Sequence, residues 1–82
     1  MKLANAISNF LYDRKYFITL FEDKIHIYKY LELEKLNSTL IILKMAEFVL
    51  EIRGEDLTVM QMNNEEILIT GRILNVGKVY AR

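Results

Sequence analysis

"EIRGEDLTV" (51–59) and "LITGRILNV" (68–76) carry one skeleton, Ile-x-Gly-x-x-Leu-x-Val, written twice and seventeen residues apart. Ile52, Gly54, Leu57 and Val59 form the first copy; Ile69, Gly71, Leu74 and Val76 form the second. Their surroundings alternate. In "FVLEIR" (48–53), Phe48, Leu50 and Ile52 fall on one face and Val49, Glu51 and Arg53 on the other. In "EILITGRI" (66–73), Ile67, Ile69, Gly71 and Ile73 share a face, with Leu68, Thr70 and Arg72 opposite. Period-two alternation is the mark of a half-buried strand. The two glycines are therefore read within β structure. Gly54 is expected at a turn between "FVLEIR" and "LTVMQM" (57–62), where glycine permits positive φ. Gly71 is expected to mark a bulge or a close approach of another backbone.

Working outward, the same character extends back to residue 16. Runs of about six apolar, β-branched or aromatic residues are separated by polar pairs. They are "YFITLF" (16–21), "IHIYKYLEL" (25–33), "TLIILK" (39–44), "FVLEIR", "LTVMQM", "EILITGRI" and "LNVGKVY" (74–80). Their spacing is too short for helical crossovers, so the neighbours are expected to be antiparallel. The reading is an all-β, small single-domain antiparallel sheet, roll-like or sandwich-like, over residues 16–82. Residues 1–15 are read as an arm, or as a short N-terminal helix, since Leu3, Ile7, Phe10 and Leu11 fall near one face at helical spacing.

Composition bounds the function. Eighty-two residues make one domain with a small core. No cysteine is present for disulfides or thiolate metal sites. Eleven basic and eleven acidic residues cancel; they are dispersed, so no basic stripe marks a nucleic-acid surface. No stretch has the length of a signal-peptide core. The most apolar window, "LIILKMAEFVL" (40–50), is interrupted by Lys44 and Glu47 and falls short of a membrane span. A cytoplasmic protein is expected.

The chemical candidates are weak. His26 is the single histidine, on the Tyr28 face of its strand, with no second His or Cys to complete a metal site. Glu22-Asp23, Glu55-Asp56 and Glu65-Glu66 fall at expected turns, where solvated charge is ordinary. No nucleophile elbow or phosphate loop occurs. The expectation is a protein that is not an enzyme, with no cofactor, metal or small-molecule substrate. Aromatics on a sheet can stack bases, which keeps an oligonucleotide-binding small barrel as the alternative. Acidic residues dilute the positive charge that it wants, and nucleic acid is not expected as a partner. Tyr28, Tyr30, Met60 and Met62 are the candidate interaction face, since aromatics and methionines suit adaptable contacts. An 82-residue sheet has edges and little net charge to keep copies apart. A homo-oligomer, or docking to a partner protein, is expected.

From about Phe17 to Val76 the chain resembles the YabP/YqfC family of sporulation proteins, its YqfC branch above all. The resemblance lies in "ITLFEDKIHIYKY" (18–30), "TLIILK", "FVLEIRGEDLTV" (48–59) and "EEILITGRI" (65–73). In that family a strand ending Ile-x-Gly is followed by x-x-Leu-x-Ile/Val, and a later Ile-x-Ile-x-Gly-x-Ile closes the domain; Gly54 and Gly71 stand at those glycines. The chain departs from the family at Phe21-Glu22, where Gly-Asn is usual, and at "MAE" (45–47), where a glycine is usual. The resemblance implies a non-enzymatic factor in the mother cell of a sporulating bacterium. There it would work with a membrane-protein partner in forespore and spore-envelope development.

Overall fold

A computed structural model describes residues 16–80; the expected N-terminal helix and arm lie outside them. The chain forms β1 (Phe17–Leu20), β2 (Lys24–Tyr28), β3 (Glu32–Leu36), β4 (Leu40–Lys44), β5 (Val49–Met62) and β6 (Glu66–Val79). All neighbours are antiparallel, in the order β1-β2-β6-β5-β4-β3. Alternation does what it was expected to do. Ile25 and Ile27 of β2, Ile41 and Leu43 of β4, Leu50 and Ile52 of β5, and Ile67 and Ile69 of β6 all point inward and are fully buried. Each such side chain contributes roughly 1.5–3 kcal/mol relative to exposure.

β5 and β6 are fourteen residues each, and they change neighbours midway. The first half of β5 lies between β4 and the second half of β6; the first half of β6 lies between β2 and the second half of β5. The sheet thus has two layers. Layer I is β1, β2, the start of β6 and the end of β5. Layer II is β3, β4, the start of β5 and the end of β6. Side chains of both layers form one core cluster, so the sheet closes over itself as a roll. The exposed faces of the two layers point away from each other.

The expected turn at Gly54 does not exist. β5 runs through it, and the register with β6 shifts instead, between Arg53 and Gly54 and again between Glu55 and Thr58. Gly54 is not in the left-handed region; among the described glycines only Gly71 is, at φ 134°. What Gly54 requires is space. A Cβ there would collide with the Arg72 backbone carbonyl. A Cβ at Gly71 would lie 2.7 Å from the Asp56 carbonyl oxygen. The two copies of the skeleton lie side by side and antiparallel, Ile52 opposite Val76 and Val59 opposite Ile69. They approach most closely at their glycines, where the long strands bend from one layer to the other.

This crossing is the centre of an internal two-fold. Three main-chain bonds on one side have counterparts on the other. Phe21 N–H donates to Lys24 O at 2.8 Å, and Asn37 N–H to Leu40 O at 3.0 Å. Gly71 N–H donates to Asp23 O at 3.1 Å, and Gly54 N–H to Thr39 O at 3.0 Å. Lys29 N–H donates to Glu65 O at 2.6 Å, and Met45 N–H to Phe48 O at 2.9 Å. The β1–β2 turn rests on β6 as the β3–β4 turn rests on β5. The repeated skeleton is the sequence trace of this symmetry.

Two further differences from the sequence reading stand out. "IHIYKYLEL" is not one strand: Lys29 takes φ 71°, β2 ends before it, and Leu31 N–H then bonds Lys44 O at 2.8 Å in the other layer. The pair Glu55-Asp56 is not in a turn but at a bulge within β5, with Asp56 at φ 54°.

Candidate functional site

The outward faces carry whatever binding the roll performs, since the described interior holds no buried polar residue. On layer I, the pairing aligns His26 of β2, Leu68 of β6 and Gln61 of β5 in one row. They share the outer face because their neighbours Ile25, Ile27, Ile67 and Ile69 point inward. With Met62, Asn63 and Glu66 they line an open groove of about 100 Å³. His26 Nε2 and Glu66 Oε1 are 2.8 Å apart at its side. Both side chains are partly exposed, at 29% and 45%. An exposed pair of this kind contributes about 0–1 kcal/mol and orients the imidazole more than it stabilises the fold.

The rim of the groove is fixed by the β5–β6 turn. Asn63 Oδ1 accepts from the backbone N–H groups of Glu65 and Glu66, both at 2.9 Å. Lys29 Nζ donates to Glu65 Oε2 at 2.9 Å. That hydrogen bond and the carboxylate charge hold the Lys29 ammonium above its ordinary pKa. Lys29 Nζ also lies 5.4 Å from the centre of the Tyr28 ring. The groove's lining has no hydroxyl or thiol. Among the described residues, no group of three or more His, Asp or Glu side chains is placed to hold a metal ion. The arrangement can accept and donate hydrogen bonds around an apolar floor, which suits a docked side chain.

The structure divides the four residues of the expected interaction face. Met60 is 58% exposed and Met62 49% exposed. Met60 stands at a second β5 bulge, where the register slips between Val59 and Gln61. Tyr28 lies on the outward side of β2, opposite Glu66 and partly exposed. Tyr30 belongs elsewhere: it is buried in the core and donates its hydroxyl proton to Asn63 O at 2.5 Å. It supports the groove from within. Gly54 and Gly71 shape the crossing and line no groove.

One feature had no sequence signal. Lys78, opposite Leu50, lays its ammonium 5.0 Å from the Phe48 ring centre and 5.1 Å from that of Tyr16, and donates to the Tyr16 hydroxyl at 2.8 Å. Tyr16 and Phe48 pack edge to face at 5.1 Å. This cluster closes one end of the roll. Its members are scattered along the sequence, and only the fold brings them together.

Among the described residues no helix is long and apolar enough to cross a membrane. In comparison with known families, the model of the YabP family fits residues 14–78. No curated protein and no solved structure matches the chain.

Proposed function

The chain belongs to the YabP family, and from that premise we propose that it is a non-enzymatic sporulation factor of the YqfC-like branch. Membership of the family suggests a sporulation-related role. In our reading the protein acts in the mother cell, in the cytoplasm and against the cytosolic side of a membrane. There it docks to a membrane protein made during sporulation and serves forespore or spore-envelope development.

The observation that carries the docking reading is the outward face of layer I. Met62 lines a groove whose polar atoms are already oriented, and Tyr28 of β2 and Met60 of β5 stand partly exposed and exposed in the same layer. Methionine side chains on such a face adapt to a partner without a preformed pocket for it. Deleting the gene in its host is expected to impair spore formation and leave vegetative growth normal. A tagged copy is expected to recover a membrane protein from sporulating cells. Met60→Glu or Met62→Glu is expected to weaken that recovery while the purified domain keeps its circular dichroism spectrum. Normal sporulation in the deletion strain, with no paralogue present, rejects the functional reading.

A further inference from the structure

The sheet order ends in β1 on one side and β3 on the other, and the internal two-fold makes these two edges equivalent. Phe17, Ile18, Thr19 and Leu20 face Tyr28, Ile27, His26 and Ile25. In the same way Glu32, Leu33, Lys35 and Leu36 face Lys44, Leu43, Ile42 and Ile41. The edges are not defended alike. β3 carries Glu32, Glu34 and Lys35 and is broken by a bulge between Leu33 and Lys35. β1 carries no charge, and its register with β2 is unbroken. Charge and bulges are what keep an edge from pairing with another chain; β1 has neither. Its free groups can be named. Phe21 N–H donates to Lys24 O, which makes these two a hydrogen-bonded pair. Bonded and non-bonded pairs alternate along an antiparallel ladder. Thr19 therefore bonds His26, and the N–H and C=O groups of Ile18 and Leu20 point away from β2, where no described strand pairs with β1. Leu20 shares the inward face with Ile18, opposite Ile25, yet is 58% exposed, and Phe21 beside it is 52% exposed.

We propose that β1 pairs with β1 of a second copy, antiparallel, around a two-fold axis at Thr19. Charge along the edge selects this occupant. The stretch "DRKYFITLFEDK" (13–24) is antisymmetric in charge about its middle: Lys15 answers Glu22, Arg14 answers Asp23, and Asp13 answers Lys24. Turned end for end, a second copy sets its basic flank beside the acidic flank of the first. A parallel copy would set like charge beside like. Glu22 and Asp23 are both exposed. Asp23 already has the Lys24 ammonium 3.3 Å away, so Glu22 is the stronger acidic partner. Hydrogen bonding sets the register. Only Ile18 opposite Leu20 of the other copy, and Leu20 opposite Ile18, pairs all the outward-pointing groups of β1 with one another. Thr19 then faces Thr19 across the axis, Phe17 faces Phe21 of the other copy, and Ile18 of the other copy covers Leu20. The axis is perpendicular to the sheet, so layer I of both copies becomes one continuous sheet. The contact is isologous and closes at the dimer.

This contact belongs to the purified protein and is independent of the sporulation reading. It is tested by sedimentation velocity on the full chain over a concentration series, at low and raised NaCl. The parent is expected to pass from monomer to dimer and no further, with a weaker dimer at raised salt. Thr19→Lys sets two ammonium groups face to face across the axis and is expected to weaken the dimer about tenfold or more. The fold already holds a lysine at the equivalent place in β3, Lys35, so the urea midpoint of Thr19→Lys is expected to stay near the parent's. A second pair of variants reads the flanks. Glu22→Lys with Asp23→Lys makes both flanks basic, and Arg14→Glu with Lys15→Glu makes both acidic. Each is expected to stay monomeric alone and to form a mixed dimer with the other. A parent that stays monomeric, or that grows beyond a dimer, overturns the proposal. So does a Thr19→Lys protein that keeps the parent's urea midpoint and dimerises like it. Should Thr19→Lys lower the urea midpoint, the flank variants decide: two proteins that associate no better mixed than alone overturn the proposal as well.

Discussion

A methyl group at Gly54 has nowhere to go: the Arg72 carbonyl occupies its place, and the Leu57 side chain closes in at 2.9 Å. Backbone cannot move aside as a flexible side chain can. Gly54→Ala is therefore expected to cost about 2 kcal/mol or more. Gly71→Ala carries a different penalty, a φ of 134° together with the Asp56 carbonyl oxygen at 2.7 Å, worth about 1–3 kcal/mol. Gly77→Ala meets neither obstacle and is expected to stay within about 0.5 kcal/mol of the parent. Urea midpoints for the three variants check the ranking; similar losses at all three would mean that glycine is needed for chain flexibility alone. The importance of Gly54 and Gly71 could be read from the sequence, but not the reason at Gly54. A glycine forced by positive φ and one forced by a neighbouring backbone look alike in letters, because the neighbour comes from another strand. Asn63 shows the converse. Its two backbone bonds are local, made within its own turn by a side-chain oxygen. Asn63→Ala should cost about 1 kcal/mol and loosen the rim of the groove, seen as faster exchange of the Glu65 and Glu66 amides.

Leu57 and Leu74 occupy the same place in the repeated skeleton, and each sits at a register slip between β5 and β6. They nevertheless meet different surroundings. Leu57 is 5% exposed, and its N–H donates to Ser38 O at 2.9 Å, which seats it against the β3–β4 turn. Leu74 is 58% exposed. Leu57→Ala should cost about 2–5 kcal/mol, as for other buried leucines, whereas Leu74→Ala should stay within about 0.5 kcal/mol. Equal urea midpoints for the pair would mean that the two-fold extends to packing and that the difference in burial is immaterial. Element boundaries followed the same logic of local against distant causes. β2, β4 and the first halves of β5 and β6 were legible because their alternation is imposed by a face they bury. β3 was split between the end of "IHIYKYLEL" and the polar residues after it because Glu32, Glu34 and Lys35 make it a charged edge, which is how an edge strand discourages further pairing. β5 and β6 were each read as two strands because a bulge interrupts the period just as a turn does. Letters report the lost alternation; they do not report that the chain keeps going.

At the scale of the whole molecule, the two layers are not two units. β5 supplies Leu50 and Ile52 to layer II, then Leu57 and Val59 to layer I; β6 supplies Ile67 and Ile69 to layer I, then Ile73 and Val76 to layer II. Strand order of this kind was not legible, since nothing in "EILITGRI" names β2 as its neighbour. Its consequence is mechanical. Layer I cannot open without withdrawing half of each long strand from the core that layer II shares. Separate opening of supersecondary units is common where few contacts cross between them; here both central strands cross. Unfolding should therefore be a single cooperative transition, with loss in one layer felt equally in the other. Ile27→Val removes one buried methylene from layer I, with an expected cost of about 0.5–1.5 kcal/mol. The slowest amides of layer II, Ile41 and Leu43 in β4, should lose protection by that same free energy in native-state hydrogen exchange. The reciprocal change, Ile41→Val in β4, should lower protection at Ile25 and Ile27 of β2 by its own cost. If protection falls only in the mutated layer, the halves open separately and the crossing at Gly54 and Gly71 is a hinge. If it falls in both, the crossing is what makes this small core fold as one.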